Sequence, residues 1–275
     1  TFNIGGWYDI FLGGTIKNYL GMQATKKQRK GSQKLLIGPW QHSSRGTSLV
    51  GEHYFGLAAD AMGIDLDGAH LRWFDYWLKD SDNGMTDEPS IRIFVMGDNV
   101  WRDEEEWPLA RAESVNYYLH SSGMANSING DGFLNTQPPA DEPPDIFLYN
   151  PSNPVPTVGG PNCCNPYFMK SGAFDQKDVE IRQDVLVYSS PPLEQDLEVT
   201  GPVTVTLWAA TSATDTDFTA KLVDVCEHGC SRNLTDGIIR ARYRDSVTST
   251  SPVEPGKAYC YTIDLWATSN VFKKG

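Results

Sequence analysis

The sequence predicts an α/β layer over residues 1–88, followed by an all-β sandwich of jelly-roll type over 89–275. At the N-terminal end, short apolar runs alternate with amphipathic stretches of helical spacing, the pattern of a parallel sheet covered by helices. Beyond residue 90, strand-like runs recur at regular spacing without helices between them. The 25 glycines and 17 prolines supply the turns such a sheet needs.

Phe2 to Trp7 reads as a short buried strand, with Asp9 on the turn that follows. Phe11 to Met22 has helical spacing through Phe11, Leu12, Ile16, Tyr19 and Leu20. Basic residues (Lys26, Lys27, Arg29, Lys30) crowd its far end, where the helix dipole favours them. Lys34 to Gly38 is a second buried strand that Pro39 is expected to end, leaving Trp40, Gln41 and His42 on a loop. Asp65 to Lys79 is an aromatic-rich amphipathic helix carrying Leu71, Phe74, Trp77 and Leu78 on one face. Further on, strands are expected at 91–96, 115–119, 186–188, 203–208, 218–225, 237–243 and 258–266, with an acidic loop over 98–107. The segment opens inside an apolar strand and stops just after another, so it reads as part of a longer protein, whose targeting signals would lie outside it.

Charge and hydropathy narrow the function. With 23 Lys and Arg against 35 Asp and Glu, a formal charge of −12 argues against nucleic-acid binding, which relies on clustered positive charge. The early basic patch has no interleaved aromatics for base stacking and reads as a solvated face. Apolar runs fall short of the roughly 18 residues a membrane span needs. Of the five cysteines, Cys226 and Cys230 are spaced to bridge a hairpin. Cys226, His228 and Cys230 make a poor metal site, because the short loop presents them badly and no second pair has zinc-finger spacing. Asp215 and Asp217 are too few carboxylates for calcium. Asn233-Leu-Thr235 is a glycosylation sequon, a triplet that chance often produces. His53, His70 and His120 have no evident partners, and Asp103 to Glu106 reads as a solvated acidic run.

Two residues stand out by position. Asp9 follows one parallel strand and His42 the next, and open α/β sheets place their active sites at such strand ends. A carboxylate there can fix the tautomer of the imidazole and stabilise the imidazolium formed during acyl transfer. Spacing alone leaves the ordinary alternatives open: a helix-capping aspartate and a surface histidine.

The residues around them carry a resemblance. Gly5-Gly-Trp-Tyr-Asp9 and Gly38-Pro-Trp-Gln-His42-Ser resemble the acid and histidine motifs of the cocaine esterase, glutaryl-cephalosporin acylase and X-Pro dipeptidyl-peptidase superfamily, also called CocE/NonD hydrolases. The likeness continues through Phe94 to Gly97, Trp101 to Asp103, Trp107-Pro108, Asp215 to Asp224, Asp236 to Arg244 and Ala267 to Phe272, in the family's order over nearly the whole chain. It implies the C-terminal portion of an α/β-hydrolase domain followed by a jelly roll, and hydrolysis of a small-molecule acyl ester or amide without metal or organic cofactor.

By that resemblance Asp9 is the triad acid and His42 the general base. Hydrolases of this fold order the triad serine, acid, histidine, so the nucleophile, on a Gly-x-Ser-Tyr-x-Gly elbow, belongs upstream, with the oxyanion hole. Gly46-Thr-Ser48-Leu-Val-Gly51 follows His42, lacks the tyrosine and has no apolar strand before it. Phe11 matches an aromatic that walls the acyl pocket of relatives, although a core phenylalanine at a helix start reads equally well. Cys163 and Cys164 fall on a loop that in relatives borders the substrate, or else serve as buried small hydrophobes. Relatives acting on α-amino acid esters carry extra carboxylates after the acid. Ile10 and Phe11 stand there instead. The rival is a non-catalytic jelly roll that binds carbohydrate or another protein, which has no use for an attached Asp-and-His half-sheet.

Overall fold

The structure, a computed structural model, describes residues 1–25, 31–42, 46–165 and 167–275. The basic cluster Lys26, Lys27, Arg29 and Lys30, and Ser43 beyond His42, lie outside the described residues.

Strand β1 (Phe2–Tyr8), helix α1 (Leu12–Gln23) and strand β2 (Lys34–Gln41) form the expected parallel unit. Helix α1 buries Leu12, Ile16 and Tyr19, one face at helical spacing. Pro39 does not end β2, which runs on to Gln41. The β1–β2 ladder shifts register between Gly6 and Tyr8, opposite Pro39, and the β2–β5 ladder stops at Ile37. A proline's missing N–H costs little at such an irregularity.

Two two-residue strands follow, β3 (Leu49–Val50) and β4 (His53–Tyr54), then helix α2 (Leu66–Lys79), capped where the Asp65 side chain accepts the Gly68 N–H. Trp73 of α2 packs beside Phe2, with ring centroids 5.6 Å apart. That orientation turns the expected apolar face outward: Leu71, Phe74 and Leu78 are 65%, 51% and 75% exposed.

Strands β5 (Ile91–Val95) and β6 (Val100–Glu104) extend the first sheet, in the order β1-β2-β5-β6, with β1 at one edge and unpaired on its outer side among the described residues. The segment read as an acidic loop is therefore a hairpin. It turns at Gly97 and Asn99, both at positive φ. Its acidic run is not simply solvated. Glu104 is 6% exposed and accepts bonds from Arg102 and Arg111, while Asp103 holds Arg92.

The rest is β-rich. A short hairpin joins β7 (Tyr118–His120) to β8 (Phe133–Asn135), β7 starting three residues and ending one residue later than the strand expected at 115–119. Residues 186–188 form no strand, and Leu186 makes only an isolated bridge to Asn126. After a single-turn helix α3 (Lys177–Glu180) come β9 (Leu197–Ala209), β10 (Asp217–Val225), β11 (Ser231–Arg240) and β12 (Tyr259–Phe272), paired antiparallel as β9–β12 and β10–β11. Tyr261, Ile263 and Leu265 of β12 pack with Phe218 and Val253 in one core. A bulge at Leu265 and Trp266 then re-aims the strand, so that Ala267 joins the other core with Trp7, Tyr8, Leu12 and Ile37. Main-chain bonds between Met96 and β12 tie the β-rich part to the end of β5.

Candidate active site

Each strand motif is fixed by its tryptophan. The Trp7 indole N–H donates to the Phe94 carbonyl at 2.7 Å, and the Trp40 indole to the Ala59 carbonyl at 2.7 Å. Both rings are buried, so these bonds satisfy a polar group that burial would otherwise penalise. A Cβ on Gly6 would lie 2.2 Å from the Trp40 carbonyl oxygen, so the glycine permits the two motifs to approach.

Beyond the tryptophans the strands deliver Asp9 and His42 side by side. Asp9 Oδ1 lies 3.1 Å from His42 Nδ1. The same oxygen accepts the Phe11 N–H at 2.9 Å, so Asp9 also organises the entry to α1. The carboxylate side chain is 5% exposed and the imidazole 29%. With Nδ1 turned to the carboxylate, Nε2 is the nitrogen left to exchange a proton with a reactant. The Phe11 ring stands edge-on to His42, and the residue is 57% exposed in this chain.

Ser48 is not on an elbow. Gly46 and Gly51 have positive φ, and the residues between them lead into β3 rather than a helix. Cys163 and Cys164 form a disulfide between neighbours, Cα to Cα 3.7 Å, and Cys164 is exposed, so they are not buried thiols. Their loop closes on a Gly160–Gly172 bridge. The adjoining Ser171 hydroxyl donates to Gln41 Oε1 at 2.9 Å, next to His42. Cys226 and Cys230 pair across the β10–β11 hairpin, and Cys260 is free.

The other expectations sort by their partners. His53 has one after all: Arg232 Nη1 lies 2.7 Å from its Nε2, and burial first, then the Arg232 charge, pushes His53 down to about 4. His120 is held by Glu142 through Nδ1 at 2.7 Å, a bond that raises it. These partners are remote in sequence, which is why local reading missed them. His70 packs against Phe2. Asp217 is engaged bidentately by Arg240, and Asp215 Oδ2 lies 3.2 Å from Arg242 Nε, so each of these carboxylates faces an arginine. Asn233 of the sequon is 0% exposed with its amide hydrogen-bonded, closed to a glycan in the folded chain. Among the described residues no group of three or more His, Cys, Asp or Glu could hold a metal ion, and no helix is long and apolar enough to cross a membrane.

Comparison with known proteins gives the geometry a context. Residues 83–275 match the family model of the X-Pro dipeptidyl-peptidase C-terminal non-catalytic domain. Cocaine esterase of a Rhodococcus species is 39% identical over 98% of this chain and 46% of its own length. An α-amino acid ester hydrolase structure superimposes with a TM-score of 0.82 at 26% identity, covering 100% of this chain and 46% of that one. An aminopeptidase structure from a marine sediment Thaumarchaeota archaeon gives a TM-score of 0.78 at 26% identity, over 100% and 45%. The chain thus spans about half the length of the relatives it matches.

Proposed function

We propose, because the chain belongs to the CocE/NonD hydrolase family and carries its X-Pro dipeptidyl-peptidase C-terminal domain, that it works as the C-terminal part of a serine hydrolase cleaving acyl esters or amides. The observation that carries this reading is the Asp9–His42 contact at 3.1 Å, reached from two parallel strand ends. A serine in an upstream part attacks the acyl carbonyl. His42 takes its proton and returns it to the leaving group, while Asp9 orients the ring and stabilises its cationic form. Water then releases the acyl-enzyme by the same base.

The division proposed is residues 1–88 as the end of the α/β-hydrolase catalytic domain and 89–275 as a jelly roll. Strands β5 and β6 extend the first sheet across that boundary. A covering upstream part is supported by the open edge of β1, the groove along it lined by Asn3, Ile4, Phe11, Gly14, Thr15 and Asn18, and the outward apolar face of α2. An uncovered strand edge invites pairing with another segment. For substrate contact we propose Phe11, which stands against His42, and the Cys163–Cys164 pair, whose loop closes beside the Ser171–Gln41 bond. Ile10 and Phe11 offer no carboxylate to a substrate ammonium group, so a neutral acyl group suits the site better than an α-amino acid ester.

The test is made on the longer protein, with a serine-directed phosphonate and p-nitrophenyl acetate. The reading expects the label on a serine upstream of residue 1, and loss of about 10³-fold or more in kcat for His42→Ala and Asp9→Asn. Wild-type turnover by either variant would overturn it.

A further inference from the structure

Asn233 touches the supports of both Asp9 and His42. It lies on β11 at a bulge, where Leu222 pairs with Thr235 but Val223 pairs with Asn233. Such bulges re-aim side chains. On one side, its main-chain carbonyl accepts the Tyr8 hydroxyl at 2.9 Å. Tyr8 is fully buried and immediately precedes Asp9. On the other side, its amide Nδ2 donates to the Gly172 carbonyl at 3.2 Å, and its Oδ1 accepts the Phe174 N–H at 2.8 Å.

The segment so held is the one against which the His42 strand rests. Ser171 bonds the Gln41 side chain, and Ala173 accepts the Glu52 N–H at 2.8 Å. Gly172 sits between them at a φ of +103°, where a Cβ would come within 2.7 Å of both Gln41 Oε1 and the Gly51 nitrogen. The chain on both sides of His42 therefore rests on residues 171–173, and one buried amide fixes that segment relative to Tyr8. An amide is suited to this position because it donates and accepts at once, whereas a carboxylate would set a second acceptor against the Gly172 carbonyl. A buried polar knot with its partners satisfied holds one arrangement firmly.

We propose that Asn233 is a positioning residue for the Asp9–His42 pair, an inference that rests on reading that pair as the acid and base of the triad. It keeps the two strand ends at the separation where Nδ1 meets Oδ1, although it touches neither ring nor carboxylate.

The two links can be cut separately. Side-chain variants of Asn233 leave its carbonyl in place and release only the Gly172 side, while Tyr8→Phe releases only the Asp9 side. In the longer protein, kcat for p-nitrophenyl acetate is measured per active site titrated by the acyl-enzyme burst, so that loss of folded protein does not count. Asn233→Ala and Asn233→Asp are expected to lower kcat per site by about 10- to 100-fold, the scale of a small misplacement of a catalytic group. KM should change less than kcat, because no side chain proposed to meet the substrate is removed. Tyr8→Phe should lower kcat per site by roughly 3- to 10-fold, and the double variant should fall short of the product of the two, as expected of coupled sites. In the ¹⁵N-histidine-labelled protein, the His42 Nδ1–H signal, identified by its loss in His42→Ala, should broaden in the same variants. Wild-type kcat per site and an unchanged Nδ1–H signal in the folded Asn233 variants would overturn the proposal. Should those variants fail to fold, Tyr8→Phe and Ser171→Ala decide it in the same way. A fully active His42→Ala would instead remove the dyad reading itself, whatever Asn233 does.

Discussion

Phe11 stands edge-on to His42, with ring centroids 4.9 Å apart and planes at 79°. More than half of its surface is open, so little packing energy depends on it. Phe11→Ala should shift the unfolding free energy of the isolated 275-residue chain by less than about 1 kcal/mol, while its effect on turnover is read in the longer protein. Its effect should fall on bulky acyl groups: kcat/KM for a p-nitrophenyl benzoate is expected to drop by roughly tenfold relative to the acetate, as an apolar pocket wall would dictate. Equal losses on both esters would remove Phe11 from the acyl pocket.

Glu104 is buried between two arginines. Arg102 donates at 2.6 Å and Arg111 at 2.7 Å, and these partners, Arg111 first, hold its carboxyl below the usual range. Its contribution is complete above the unfolded value and is lost as pH falls through the folded one. Because Arg111 is largely exposed, solvent screening reduces the pair's worth. Glu104→Ala should destabilise by about 1–3 kcal/mol near neutral pH. The urea midpoint reads this directly, and the difference from wild type should shrink on acidification toward pH ~3.

His53 and His120 should tilt the pH dependence of stability in opposite directions. His53, pushed down to about 4, stays neutral when folded while the unfolded imidazole takes a proton near pH ~6.5. Its contribution is therefore complete above about pH 6.5 and is lost as pH falls toward 4. His120 is raised by its bond to Glu142, so its contribution is complete below about pH 6.5 and is lost as pH rises through the folded value. Melting temperatures between pH 5 and 9 should show His53→Gln losing less than wild type on acidification, and His120→Gln losing less on alkalinisation. Slopes unchanged by both substitutions would contradict these partners.

The cysteines give a count. Cys163–Cys164 and Cys226–Cys230 are paired, and Cys260 is free and exposed. Iodoacetamide on protein unfolded without reductant should add one group, on Cys260, and five after reduction. Three or more additions before reduction would mean that at least one pair is open.

What could be read in the sequence follows the range of the interactions involved. The proximity of Asp9 and His42 was legible because each stands at the end of a short apolar run, and a parallel unit brings such ends together, whereas their roles as acid and base were read only from the resemblance of the flanking motifs. Helix α1 was legible because Leu12, Ile16 and Tyr19 mark its buried face. Pro39 misled because its cost depends on a register shift in the neighbouring ladder, which no local pattern records. The α2 stripe misled because periodicity defines a face but not what covers it: here Trp73 turns inward and Leu71 outward. Asn233 read as a sequon, since its partners Tyr8 and Gly172 lie 225 and 61 residues away.

The direct test of the central claim is a p-nitrophenyl acetate time course on the purified 275-residue chain, run beside its His42→Ala variant and beside the same chain joined to its upstream part. Asp9 and His42 can only activate a nucleophile that the reading places elsewhere. The isolated chain should therefore match the His42→Ala control at background rate, while the joined protein turns over and loses activity with His42→Ala. Turnover by the isolated chain that His42→Ala abolishes and a serine-directed inhibitor blocks would contradict this. The nucleophile would then lie within these residues, with Ser48 the first to examine.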